Sequence, residues 1–163
     1  MNGFLLFLLS VVLSSAAWIY VSINYIWPRI TSVPLINAAR LLLTLHLFRF
    51  VGASFLIPGV AGTSLSIDFA KPAAFGDLIA TVLAWVALAL LNRKNGVAAL
   101  WVFNIWGFGD LLYAFYKGAF GPGFDAGFLG ATFYVPTVYV PLLVCSHLMI
   151  FILLLRKIRA KTA

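Results

Sequence analysis

The chain has 163 residues, 64% of them hydrophobic and only 9% charged, with a net charge of +7. Soluble domains carry about a quarter charged residues, so a water-exposed surface of ordinary composition cannot be assembled from this sequence, and its long apolar runs are unlike the short alternating segments of a membrane β-barrel. The positive balance does not point to nucleic acid, because the basic residues stand at the ends of apolar runs, where they read as topology signals and lipid-headgroup contacts.

Crossing the hydrocarbon layer takes roughly 20 apolar residues. The expected fold class is therefore all-α: a polytopic membrane bundle of five transmembrane helices, forming one domain over residues 1–163. The first span is read at about 4–27, closing at Pro28-Arg29. Its start, MNGFLLFLLSVVLSSAAW, resembles the apolar region of a signal peptide, yet no basic segment precedes it and hydrophobicity continues past Ser15. A retained span is expected there. The second span is read at about 37–58, and the third at about 76–91, ending at Asn92-Arg93-Lys94-Asn95-Gly96. The fourth is read at about 97–116 and the fifth at about 137–155, ahead of the basic tail RKIRAK. Cys145, the single cysteine, falls in the fifth span and can form no intramolecular disulfide.

This threading sorts the cations. Arg29, Arg40, Arg93, Lys94, Arg156, Lys157, Arg159 and Lys161 fall on one side and Lys71 and Lys117 on the other, eight against two. Positive residues stay cytoplasmic, which implies a cell-membrane protein with its N-terminus outside and its C-terminus inside. The outer loops, 59–75 and 117–136, are unusually apolar. Interfacial aromatic anchors are one reading of them, and a lid over an outward-facing pocket is another. Tyr113-Ala114-Phe115-Tyr116 reads as an outer aromatic belt.

One cation, Arg49, lies inside a span, and all four acids are Asp. Asp77 and Asp110 occupy two copies of the tetrapeptide FGDL, at 75–78 and 108–111. The copies run in opposite directions and their flanks differ, so they do not indicate duplication; they share placement of an Asp in the outer half of the membrane. An ionisable group in a span costs about 2.5–3.5 kcal/mol on insertion scales and needs a partner facing it. The candidates are His46, Arg49, Asp77, Asn104, Asp110 and His147. At roughly 1.5 Å rise per residue, His46, Asn104 and His147 lie about 9–14 Å from the cytoplasmic edge, with Arg49 a turn beyond His46 and Asp110 and Asp77 higher still. Arginine stays protonated, so Arg49 is expected to meet Asp77 or Asp110 across helices. The alternatives are a buried ion pair that only fixes packing and a polar pocket that binds something.

His46 and His147, at similar depth on different spans, raise haem ligation from both sides. A lone histidine on an apolar helix more often hydrogen-bonds in a core. No carboxylate stands at histidine-pair spacing for zinc or di-iron, and phosphate-loop, CxxC and HExxH patterns are missing.

RFVGASFL followed by FAKPAAFGDLIATVLA resembles a family of small uncharacterised bacterial integral membrane proteins. Their pattern is Arg-x-x-Gly-x-x-Phe-Leu, a Gly-x-Leu-Pro outer loop, Phe-Ala-x-Pro-Ala-Gly-x-Gly-Asp and a later Trp-Asn-x-x-Gly-x-x-Asp-Leu. The matches here are Arg49, Gly52, Phe55, Leu56, Phe69, Ala70, Pro72, Ala73, Gly76 and Asp77, then Asn104, Gly107, Asp110 and Leu111. Ser66 stands where that pattern has Pro, Ala74 where it has Gly, and His46 where it has Gln. The last departure counts against haem. The resemblance carries no activity, but it selects Arg49, Asp77, Asn104 and Asp110.

The function expected is an outward-opening polar pocket for a small molecule or lipid, or membership in a larger membrane complex. Arg49 would anchor an anionic group, Asp77 and Asp110 would position it, and His46, Asn104 and His147 would supply hydrogen bonds. A haem-binding redox subunit and a purely structural accessory subunit are the alternatives. Partners would be the lipid bilayer and other membrane subunits or further copies of the chain, with no nucleic acid. The sequence points to no enzyme chemistry.

Overall fold

The computed structural model describes residues 3–120 and 125–162. Five of its helices are long and apolar enough to cross a membrane. We label them α1 (Gly3–Thr31), α2 (Leu35–Leu56), α3 (Ile67–Leu90), α4 (Gly96–Gly118) and α5 (Val135–Ala160). Short connections at 32–34 and 91–95 make neighbours antiparallel.

The first helix does not stop at Pro28. The turn Ser22–Ile26 is a π-turn, in which the Trp27 N–H reaches back to the Ser22 carbonyl, and Pro28 then enters the first turn of the helical segment Trp27–Thr31. A widened turn relieves the clash between a proline ring and the carbonyl four residues back. α5 uses the same device, since Val135–Tyr139 is a π-turn carrying Pro136. The third helix also starts earlier than its apolar run. Ile67 opens it, the Ser66 hydroxyl accepts from the Asp68 N–H at 3.3 Å, and Pro72 lies inside. The segment FAKPAAF, expected to be loop, is therefore helix. α5 likewise continues through the basic residues, because Arg and Lys are good helix formers.

α2 changes character midway. It is α-helical over Leu35–His46 and 3₁₀ over Leu47–Leu56. A 3₁₀ helix has three residues per turn, so side chains three apart stand in one line. Arg49, Gly52 and Phe55 are the buried residues of that segment. The Tyr139 hydroxyl donates to the Leu45 carbonyl at 2.5 Å, bracing the point where the helix tightens.

α3 is the central helix, packed between the 3₁₀ part of α2 and α4. Its buried residues include Ala70, Ala73, Ala74, Gly76, Ala80, Ala84 and Ala87, and such small side chains let neighbouring backbones approach. α1 is peripheral: none of Gly3–Val21 is buried, and it leans on α5. The two loops at the far end clip together, with Gly62 N–H donating to the Phe128 carbonyl at 2.9 Å and Ala131 N–H to the Val60 carbonyl at 2.8 Å. Residues 121–124 of the second expected outer loop lie outside the described residues.

Two apolar clusters result. One, towards the basic end, joins Leu42, Leu43, Ala84, Ala87, Leu100, Phe103, Ile150 and Leu154. The other, towards the opposite end, joins Phe55, Phe69, Ala73, Leu111, Leu129, Val135, Val140 and Leu143. A polar layer lies between them.

Candidate functional site

The 3₁₀ line of α2 points Arg49 at α3 and α4. Its Nε donates to Asp77 Oδ1 and its Nη2 to Asp110 Oδ2, both at 2.7 Å. Nη1 donates to the Gly107 carbonyl at 3.0 Å and lies 3.3 Å from His147 Nε2. All three guanidinium nitrogens are engaged, as a charged group out of water requires.

Asn104 settles the state of His147. The Asn104 amide nitrogen donates to the His147 carbonyl at 3.2 Å, which leaves its amide oxygen 2.7 Å from His147 Nδ1. Nδ1 must then carry the hydrogen, and Nε2 presents a lone pair to the Arg49 N–H. His147 is thus a neutral acceptor that helps satisfy the guanidinium. His46 sits beside it, with ring centroids 4.3 Å apart. Its Nε2 lies 3.0 Å from Ser146 Oγ, while its Nδ1 is buried with no hydrogen-bond partner. Five of the six sequence candidates are therefore joined in one layer: Arg49 touches four of its groups directly and Asn104 acts through His147, while His46 packs against the edge.

Glycines make the approach possible. A Cβ on Gly52 would overlap the Asp77 carboxylate, and one on Gly76 would overlap that of Asp110. A Cβ on Gly107 would lie 2.7 Å from the His147 ring and 2.9 Å from Arg49 Nη1. Gly109, in the second FGDL, has nothing within 4 Å. The two tetrapeptides thus do different work: in the first, the glycine makes room for the aspartate of the second.

Above the layer lies a cavity of about 230 Å³, bounded by α1, the end of α2, α3, α4 and the start of α5. Phe7, Phe55, Phe69, Leu111 and Val140 wall it, and Asp77 and Asp110 are its charged residues. The Arg49 side chain has 0% of its surface open, against 10% and 11% for Asp77 and Asp110. The guanidinium lies behind its own carboxylates, which are the charged groups that border the cavity.

A haem held by His46 and His147 does not fit. Axial ligands stand on opposite faces of the macrocycle with the metal between them, whereas these rings pack on each other at 4.3 Å with a 51° tilt. Both nitrogens of His147 are also committed to Asn104 and Arg49.

Two contributors, the Gly107 carbonyl and Ser146, carry no signal in the sequence, since backbone acceptors and single serines leave no pattern. The lines Arg49-x-x-Gly52-x-x-Phe55 and Asn104-x-x-Gly107-x-x-Asp110 did carry a signal, a period of three joining a charge to a glycine.

Comparison with curated proteins and with solved structures gave no match. A family model does match residues 6–155, a stretch that takes in the three middle long helices, most of the first and last, and the whole polar layer. By that match the chain belongs to the family described as domain of unknown function DUF8737.

Proposed function

We propose that this is a multi-pass cell-membrane protein, N-terminus outside, whose outward cavity binds a small apolar molecule through a cationic or hydrogen-bond-donating head. The observation that carries this reading is the sign of the cavity. Asp77 and Asp110 line it, and Arg49 does not. One guanidinium faces two carboxylates, and His147 is neutral by its hydrogen bonds, so the cluster has a net charge of −1 when both acids are ionised. A net charge in a low-dielectric site is costly unless paired, and a donor on the occupant would offset it. The volume exceeds the ~150 Å³ of an apolar cavity that takes up benzene, so a ring with a short amine chain is of suitable size.

The test uses three probes of one shape on the full chain in phosphatidylcholine nanodiscs: 2-phenylethylamine, 2-phenylethanol and phenylacetate. The amine is expected to raise the unfolding temperature most and phenylacetate least. Ala114→Phe fills the cavity away from the ion pairs and is expected to remove the response. No response to any probe, with no small molecule co-purifying, would overturn the reading. That result would favour the alternative in which the layer only fixes helix packing, a role to which the full engagement of Arg49 also lends itself.

A further inference from the structure

The opposite end of the bundle holds a second cavity, of about 340 Å³. We propose that it is a binding site for the phosphate headgroup of an anionic phospholipid, independent of the site around Arg49. Three cations from two separate segments line it: Arg93 and Lys94 from the α3–α4 turn, and Lys157 from the last turns of α5. Its wall is apolar, with Leu91 and Leu154, which are 6% and 1% exposed, and Val97. A charged rim over an apolar wall matches a phosphate joined to acyl chains.

Among the described residues no acidic side chain lies here. Its only acidic side chains are Asp68, Asp77, Asp110 and Asp125. Asp77 and Asp110 are paired with Arg49, Asp68 is in the first turn of α3, and Asp125 caps the 3₁₀ turn Ala126–Phe133. All four are remote from the α3–α4 turn. Two other cations at this end are already occupied: Arg29 Nη1 donates to the Tyr25 carbonyl at 2.5 Å, and the Arg156 guanidinium stacks on the Trp27 ring at 4.9 Å. Among the described residues, no ion pair engages Arg93, Lys94 or Lys157. The N-terminus of α4 begins at Gly96, beside the cavity, and adds its partial positive charge. Positive residues at span ends set orientation in any case. What singles out these three is their convergence on one cavity with apolar walls and no internal anion.

The test is lipid retention by native mass spectrometry of the full chain, with phosphatidylglycerol, phosphatidylcholine and inorganic phosphate as separate arms. Wild type is expected to retain phosphatidylglycerol over phosphatidylcholine. Each of Arg93→Gln, Lys94→Gln and Lys157→Gln is expected to weaken retention about fivefold, and the triple variant on the order of a hundredfold. Arg29→Gln, with its side chain committed elsewhere, is expected to retain the lipid as wild type does. The charge-keeping variant Lys157→Arg is expected to restore binding, which separates loss of charge from loss of fold. Equal retention of phosphatidylcholine, or unchanged retention in the triple variant, would overturn the proposal. So would displacement of the lipid by inorganic phosphate at equal concentration, since the site would then read phosphate without acyl chains.

Discussion

In the half of the bundle nearest the basic end, Leu42, Leu43, Leu100, Phe103, Ile150 and Leu154 close against Ala84 and Ala87. One turn further along, Arg49, Asp77, Asn104, Asp110 and His147 lock together through hydrogen bonds of 2.7–3.3 Å. The two regions share the same helices but are held by different forces. Lipid tails are as apolar as leucine, so the first region gains packing contacts but little hydrophobic drive between helices. The second has one arrangement that engages every guanidinium nitrogen and both carboxylates. The apolar half fills space, while the polar layer specifies which helices meet and at what height.

The largest expected effect follows from this contrast. Arg49→Met leaves two mostly buried carboxylates without a counter-charge, a change that costs about 3–5 kcal/mol in buried pairs. Leu43→Ala, fully buried on the same helix, loses little transfer energy in lipid and leaves mainly the void. At about 24 cal/mol per Å³ of cavity, that is on the order of 2 kcal/mol or less. Reversible unfolding in mixed micelles measures both. A larger loss from Leu43→Ala than from Arg49→Met would break the comparison.

A middle-sized effect sharpens it. Gly76→Ala puts a methyl group into the Asp110 carboxylate, whereas Gly109→Ala places one in open space. Overpacking costs typically 1–3 kcal/mol, and alanine is the better helix former by up to about 1 kcal/mol. Gly76→Ala is expected to lower the midpoint of thermal unfolding, and Gly109→Ala to hold or raise it. Equal responses from the two FGDL glycines would mean that the close approach of α3 to α4 does not hold the layer together.

Some of this was legible beforehand and some was not, for physical reasons. The five long helices follow from apolar length, and the pairing of Arg49 with Asp77 and Asp110 follows from the cost of leaving a guanidinium alone in oil. Helix continues past the ends that the sequence suggests at Pro28 and around Pro72, where proline and nearby charge signal a break. A π-turn accommodates the first, and the second sits only a short way into its helix, beyond the Ser66 cap. The 3₁₀ stretch was hidden because periods of 3.0 and 3.6 place Arg49 and Gly52 on nearly the same face. Helical rise already sets the aspartates on the outer side of Arg49, but the walls of the cavity on that side leave no pattern in the sequence. Those walls depend on Phe7 of α1 and Val140 of α5 enclosing the cavity on the aspartate side, a matter of packing between segments far apart in the chain.

The smallest effect tests where the polar layer ends. His46 makes one hydrogen-bond contact, to Ser146 at 3.0 Å, and its Nδ1 has none. Its ring otherwise packs edge-on against Phe103 at 4.9 Å. An unsatisfied buried group already costs about 1–3 kcal/mol, so the native residue is not optimal for stability. His46→Gln keeps a group that can reach Ser146, and its stability is expected to stay within about 1 kcal/mol of wild type. His147→Gln, in contrast, gives up the acceptor that faces Arg49 and the ring nitrogen that faces Asn104, and is expected to cost more. The same micelle unfolding measurement ranks the two. If His46→Gln proves as damaging as His147→Gln, the layer includes the His46–Ser146 pair, and the boundary between the specifying and the space-filling parts of the bundle moves one turn towards the basic end.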